Sequence, residues 1–206
     1  AKVDGGVATF RWAPFARNVT ATLGDVFDAN TTRDSTRPWE VVILGAALWD
    51  ALHVRSVETY ARDVRALAAK LAATRKEFYA ERRGKTKFFW LAAPRVMDDA
   101  LIDPAKRTHM TDAKVAAYGD AARNTPGFFF VEKDGIANDD ERRGQVLPVD
   151  VGALAAGCAA SAGEDETAGD ARKCFGEDGV HAARAVYDAA AQVIADAVVR
   201  ETNARV

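Results

Sequence analysis

Serine is scarce in this chain: among 206 residues there are three, Ser35, Ser56 and Ser161. None follows an apolar strand in a Gly-Asp-Ser or Gly-x-Ser-x-Gly arrangement, so the chain offers no recognisable serine nucleophile of its own. Histidine is equally scarce, at three residues, and neither His53 nor His109 has metal-ligand spacing with another His, Cys or carboxylate. We therefore expect no metal site and read both as surface or supporting residues. The glycines are too scattered for either nucleotide-binding fingerprint, and no cofactor is expected to be bound. Charge of one sign is also missing: 28 Lys and Arg against 30 Asp and Glu give a formal net charge of −2. With no basic stripe to meet a phosphate backbone, nucleic acid is not an expected partner. No apolar run approaches the roughly 18–20 residues of a membrane span, so contact with a membrane is expected only through segments outside this chain.

What is present is a hydrophobic content of 49%, much of it alanine, in a length that suits one domain over residues 1–206. The chain begins at Ala1, not methionine, and is expected to be part of a longer protein. Val7–Pro14 reads as a short apolar strand ended by proline, and 21–38 as a polar loop with at most one helical turn. Val41–Leu44 is β-branched and apolar on both faces, as suits a buried parallel strand. Apolar residues recur at helical spacing from Val57 to Leu71, predicting a helix over 54–82 that Ser56 can cap. Lys87–Pro94 predicts the next buried strand, 98–104 an irregular loop, and Thr111 the start of another helix that Pro126-Gly127 ends. Phe128–Val131 predicts a further strand, 132–146 an exposed charged segment, and Val149–Ala156 a short helix or strand. His181–Val199 predicts a terminal amphipathic helix. Buried strands alternating with helices predict an α/β three-layer sandwich with a mainly parallel sheet.

Cys158 and Cys174 flank a polar stretch that cannot bury much and that a disulfide would stabilise. Asn18-Val19-Thr20 and Asn30-Thr31-Thr32 are glycosylation sequons at Asn18 and Asn30. Together these features predict a secretory, luminal or extracellular compartment, against the alternative of two free thiols in a cytosolic protein.

Two segments carry chemistry. In Glu177-Asp178-Gly179-Val180-His181 the carboxylate and the imidazole are three residues apart, a spacing that lets Asp178 hold one tautomer of His181 and stabilise the imidazolium formed on proton transfer. The structural alternative is that Asp178 caps the last helix and His181 is a surface residue in its first turn. Gly45–Asp50 follows the strand Val41–Leu44. A glycine there allows backbone N–H groups near Gly45 to approach a substrate oxygen, with Trp49 and Asp50 alongside. The alternative is an ordinary strand-end turn with Trp49 filling the core.

The blocks Phe10–Pro14, Val42–Asp50, Phe89–Pro94 and Asp178–His181, in this order, resemble the SGNH hydrolase superfamily. More narrowly, they are similar to the luminal catalytic domain of the sialic-acid and fungal capsule O-acetyltransferases. Thr111–Ala122 is similar to a helix following that family's central strand. The resemblance implies a flavodoxin-like sheet whose first strand, with the Gly-Asp-Ser nucleophile, lies outside this chain, so that a preceding segment or partner chain completes the sheet. It implies His181 as general base and Asp178 as its orienting acid. It also implies acetyl-CoA as acyl donor, a glycan or acyl ester as substrate, and the Golgi lumen or the cell exterior as location. The block asparagine of many superfamily members has no counterpart here. The competing expectations are a non-catalytic module of the same fold with a glycan-binding or structural role, and a flavodoxin-like binding domain unrelated to that family.

Overall fold

The computed structural model describes residues 2–3, 6–27, 41–82, 86–101, 103–128, 146–161 and 171–203. A two-residue pair of strands, β1 (Lys2–Val3) and β2 (Gly6–Val7), is followed by α1 (Ala16–Phe27). Strand β3 (Val41–Gly45) leads through a π-helical turn (Asp50–Val54) into α2 (Val57–Arg82) and β4 (Lys87–Leu91). A 3-10 turn at Asp98–Ala100, α3 (Pro104–His109) and α4 (Asp112–Arg123) come next. The described chain ends with β5 (Val146–Val149), α5 (Val151–Ser161), a 3-10 turn at Ala171–Cys174 and α6 (Arg184–Asn203).

The chain is mixed α/β around a three-stranded parallel sheet in the order β3-β4-β5, with Ile43 opposite Phe89 and Trp90 opposite Pro148. β4 is central, and its run Phe88-Phe89-Trp90 is buried throughout, as a parallel strand covered on both sides should be. Phe88 and Trp90 join Leu44 and Val146 in a cluster with Tyr60, Val64 and Leu67 of α2, Val19 and Leu23 of α1, and Tyr118 of α4. Phe89 and Val149 pack with Ala190 and Ile194 of α6.

Helix starts follow local chemistry. Ser56 accepts the Thr59 N–H at 3.1 Å and so caps α2, as the sequence predicts. Thr111 caps α4 by accepting from Lys114. Asp103 caps α3, whose first residue is proline.

Three expectations are corrected. Residues 8–15 form no strand, and Phe10 and Trp12 are 81% and 65% exposed. Residues 21–27 of the segment expected as a loop are the second half of the three-turn helix α1, which is held by a tertiary contact described below. The third strand of the sheet is Val146–Val149, in a region expected to be an exposed charged segment and its flank; Phe128 lies in a turn, and Phe129–Val131 fall outside the described residues. Pro148 is tolerated there because β5 is an outer strand of the described sheet, where a missing N–H costs nothing. Two smaller differences concern burial and boundaries. Ile43 is 50% exposed, because α6 packs over Phe89 and Val149 but does not reach it. The terminal helix starts at Arg184, three residues after His181.

Cys158 of α5 is bonded to Cys174, with Cα atoms 5.9 Å apart, and Cys174 sits buried among Val151, Ala155, Ala182 and Val186. The disulfide therefore fastens the segment leading to Asp178 and His181 onto α5. Closing a loop of this length is worth about 3 kcal/mol in the chain-entropy model. Replacing both cysteines with alanine is expected to lower the unfolding free energy by roughly that amount, read from urea denaturation with and without reductant; an unchanged midpoint would show that the bridge contributes nothing.

Candidate functional site

The site is built at the carboxyl ends of the parallel strands, where open α/β sheets place their ligands. Its first part is the loop between Cys174 and Ala183. Phe175 and Ala182 form an antiparallel bridge, Gly176 N–H donates to the His181 carbonyl at 2.7 Å, and Ala183 N–H donates to the Cys174 carbonyl at 2.9 Å. The loop is thus a closed, hairpin-like turn and not the start of a helix. At its tip Gly179 has φ +66°, and a Cβ there would lie 2.9 Å from the Ala100 Cβ and 3.0 Å from the Met97 carbonyl oxygen. Only glycine satisfies both demands. The Gly179 carbonyl accepts the Met97 N–H at 2.9 Å, and Val180 packs with Val96, Leu101, Met110 and Val115.

That scaffold sets the carboxylate. Asp178 Oδ1 accepts the N–H groups of Val180 and His181, each at 3.0 Å, and Oδ2 lies 2.7 Å from His181 Nδ1. Partial burial pushes the carboxyl of Asp178 up, but the His181 and Val180 amides and the imidazole together outweigh it and hold the group down at about 2. It is anionic throughout the neutral range. The imidazole is 69% exposed, and Nε2 has no hydrogen-bond partner among the described residues. Asp178 does not cap the last helix; it serves its own turn and the imidazole.

The second part is the turn after β3. Adding a Cβ to Gly45 would place it 3.3 Å from the Leu91 carbonyl oxygen, so the glycine also answers a close approach of β4. Ala47, buried, has φ +129°, a conformation that costs an L-residue about 1–3 kcal/mol. A π-turn follows immediately, closed by the Arg55 N–H donating to the Asp50 carbonyl at 2.9 Å. Strained backbone followed by a π-turn is a combination that clusters at functional sites. Leu48 and Leu52 of this turn pack against the cluster that contains Val180, so the two parts share one wall.

Trp49 is 43% exposed and stacks on His53, ring centroids 4.9 Å apart at 21°. It is a surface ring and does not fill the core. Asp50 is the opposite case: expected beside the substrate, it is fully buried and unavailable to one. Its Oδ2 accepts the Ala16 N–H at 3.1 Å at the start of α1, while Oδ1 and the buried Tyr60 hydroxyl have no hydrogen-bond partner among the described residues. Burial pushes the Asp50 carboxyl up to about 6, opposed by the Ala16 amide and assisted by the charge of Asp63.

The structure adds residues that the sequence reading passed over. Arg95 pairs with Asp112 at 2.6 Å, and Asp112 also accepts the Val96 N–H at 3.1 Å, which fixes the segment between β4 and Met97. Their separation of 17 residues left no local signal. His53 was legible as a neighbour of Trp49, four residues earlier on a helical turn. Ser56 is consumed as a helix cap; Ser161 ends α5, and Ser35 lies outside the described residues. Among the described residues no group of His, Cys, Asp and Glu could hold a metal ion, and no helix is long and apolar enough to cross a membrane. Asn18 lies half-buried in the first turn of α1, whereas glycosylation acceptors favour exposed loops; Asn30 lies outside the described residues.

No protein-family model, curated protein or solved structure matches the chain.

The raised carboxyl of Asp50 has a definite sign. A folded-state value near 6 against an ordinary 3.8 means that the folded protein binds the proton more tightly. The associated stability is fully present below the ordinary value and is lost as pH rises through about 6, on the order of 3 kcal/mol. Asp50→Asn keeps an acceptor for Ala16 and removes the charge. Its stability relative to wild type is expected to improve between pH 4.5 and 7.5, measured by thermal melts; a constant difference across that range would contradict the assignment.

Proposed function

We propose that this chain is the Asp-His portion of an SGNH-type acyl-transfer domain that O-acetylates glycan hydroxyls, with hydrolysis of such esters as the close variant. The observation that carries the reading is the 2.7 Å contact from Asp178 Oδ2 to His181 Nδ1, on an imidazole that remains exposed. A carboxylate on Nδ1 leaves Nε2 as the basic nitrogen, turned to whatever hydroxyl is presented to it. The strained turn at Gly45–Trp49 supports a second element of the same site, since a glycine at a strand end lets backbone N–H groups come close to an oxyanion. The fold supports it too. Phe88 and Trp90 face one set of helices and Phe89 another, consistent with a three-layer sandwich.

In this reading a serine outside these 206 residues reacts with the acyl donor, acetyl-CoA. His181 Nε2 takes the serine proton as Oγ bonds to the acyl carbon, and the thiolate leaves with a proton from the imidazolium. His181 then takes the proton of a sugar hydroxyl, whose oxygen bonds to the acyl carbon as the serine ester breaks, and the imidazolium returns that proton to the departing Oγ. Asp178 keeps the imidazole in the required tautomer throughout. The outer edge of β3, unpaired among the described residues and with Ile43 half exposed, is where a further strand carrying that serine would add. The resemblance to secretory-pathway acetyltransferases, with the Cys158–Cys174 bridge, favours an oxidising lumen or the cell exterior.

The test is ester turnover and acetyl transfer by the natural full-length protein. His181→Ala is expected to lower kcat about 10³-fold or more, and Asp178→Asn about 10²- to 10⁴-fold, with little change in KM. Equal activity of wild type and His181→Ala would overturn the reading. Absence of any turnover in the intact protein would favour the non-catalytic module.

A further inference from the structure

Among the described residues six aromatic side chains belong to the core: Trp90, Phe88, Phe89, Phe128, Tyr60 and Tyr118 are all buried. Tyr187 of α6 is exposed, and the other exposed rings lie together. Phe10, Trp12 and Trp49 are 81%, 65% and 43% exposed, and they touch one another. The Phe10 and Trp12 centroids are 6.3 Å apart, Trp12 meets Trp49 at 5.9 Å and 88°, and Phe15 meets Trp49 at 6.5 Å and 90°. His53 backs Trp49, and the Arg17 guanidinium lies 4.9 Å over the Phe15 ring. Contiguous rings left in water at a single place cost the protein hydrophobic stabilisation that burying them would have provided, and such patches mark binding surfaces.

The composition of the patch narrows the partner. Among the described residues, the rings in contact and the His53 and Arg17 beside them include no large aliphatic side chain, which a lipid tail or a protein helix would seek. Trp12 and Phe15 stand edge-on to Trp49, with Phe10 tilted at 44° to Trp12, so that the patch presents a ring face beside ring edges, and guanidinium and imidazole donors sit at its rim. A pyranose ring offers the complement: C–H bonds on one face to lie against an indole, and hydroxyls around its perimeter to accept from the donors. The platform is also continuous with the site already described, because Trp49 belongs to the turn whose Leu48 and Leu52 pack against the Val180 cluster.

We infer that Phe10, Trp12 and Trp49 form a platform for a pyranose unit of a glycan, with Phe15, His53 and Arg17 supporting it. This deepens the acyl-transfer reading by placing its acceptor, but the binding step needs no nucleophile and can be measured without turnover.

The experiment titrates the 206-residue chain with mannotetraose and, separately, cellotetraose, reading tryptophan fluorescence and saturation-transfer NMR. Saturable binding of at least one oligosaccharide is expected. Trp12→Ala and Phe10→Ala, at positions too exposed to matter for folding, are each expected to weaken it about tenfold or more. Trp49→Phe is expected to retain most of it. No saturable binding of either sugar up to about 20 mM, or binding unchanged in Trp12→Ala and Phe10→Ala, would overturn the inference. If coenzyme A or phosphatidylcholine vesicles titrate the same tryptophans and the sugars do not, the glycan assignment is likewise wrong. Sugar binding in a full-length protein without ester turnover would leave the platform standing and remove the acyl-transfer reading, whereas turnover without platform binding would do the reverse.

Discussion

The arrangement at the strand ends depends on Gly179. Its left-handed backbone and missing side chain let the tip of the 174–183 loop press against Met97 and Ala100, closely enough for the Met97 N–H to bond to its carbonyl. Everything chemical on the loop follows from that contact. Val180 is carried into the cluster of Val96, Leu101, Met110 and Val115, and the amides of Val180 and His181 turn toward one oxygen of Asp178. The other oxygen is left for the imidazole. A larger residue at 179 would push the tip away by the radius of a methyl group, and the carboxylate would lose the geometry that fixes the ring. The disulfide and the Phe175–Ala182 bridge hold the loop's base, while Gly179 holds its tip.

The turn after β3 is held in a different way. Asp50 is buried with no ion pair among the described residues, the charge of Arg17 acting on it only at a distance, and one of its oxygens makes no hydrogen bond there. Its placement makes sense as a tertiary cap, joining the start of α1 to the π-turn after β3. The carboxylate thereby anchors the segment preceding α1, including Trp12 and Phe15, over Trp49. Strain at Ala47 and a raised Asp50 carboxyl both lie in the one turn between β3 and α2. Such local costs persist when the surrounding structure over-determines them, and the packed cluster behind the turn is large enough to do so.

The parts of this structure that the sequence made legible are those decided locally. Val41–Leu44 and Lys87–Leu91 are continuous apolar runs of strand length, and both are parallel strands. The helix from Val57 announces itself through its periodicity and its Ser56 cap. Asp178 and His181 are close in sequence and required only a turn to meet. What was not legible was decided at a distance. α1 has apolar residues at helical spacing, Ala16, Val19 and Leu23, but Asn18, Thr20, Thr22, Gly24 and Asp25 between and after them read as loop, and its first amide is satisfied by Asp50, 34 residues away. β5 adjoins a charged segment and contains a proline, a residue disfavoured inside sheets, yet an outer position makes it acceptable. Phe128 is apolar enough for a strand but is used as a core plug, stacking edge-on against Trp90 at 5.1 Å. The burial of Asp50 and the exposure of Trp12 reverse what residue type alone suggests.

The central claim is that Asp178 fixes His181 as the Nδ1–H tautomer with Nε2 open as a base. The most direct measurement is nitrogen-15 NMR of the His181 ring in its neutral state, in wild type and Asp178→Asn. The account predicts a protonated, strongly hydrogen-bonded Nδ1 and an unprotonated Nε2 in wild type, with that preference lost or reversed in the variant. A wild-type ring protonated at Nε2, or identical spectra in the two proteins, would contradict it.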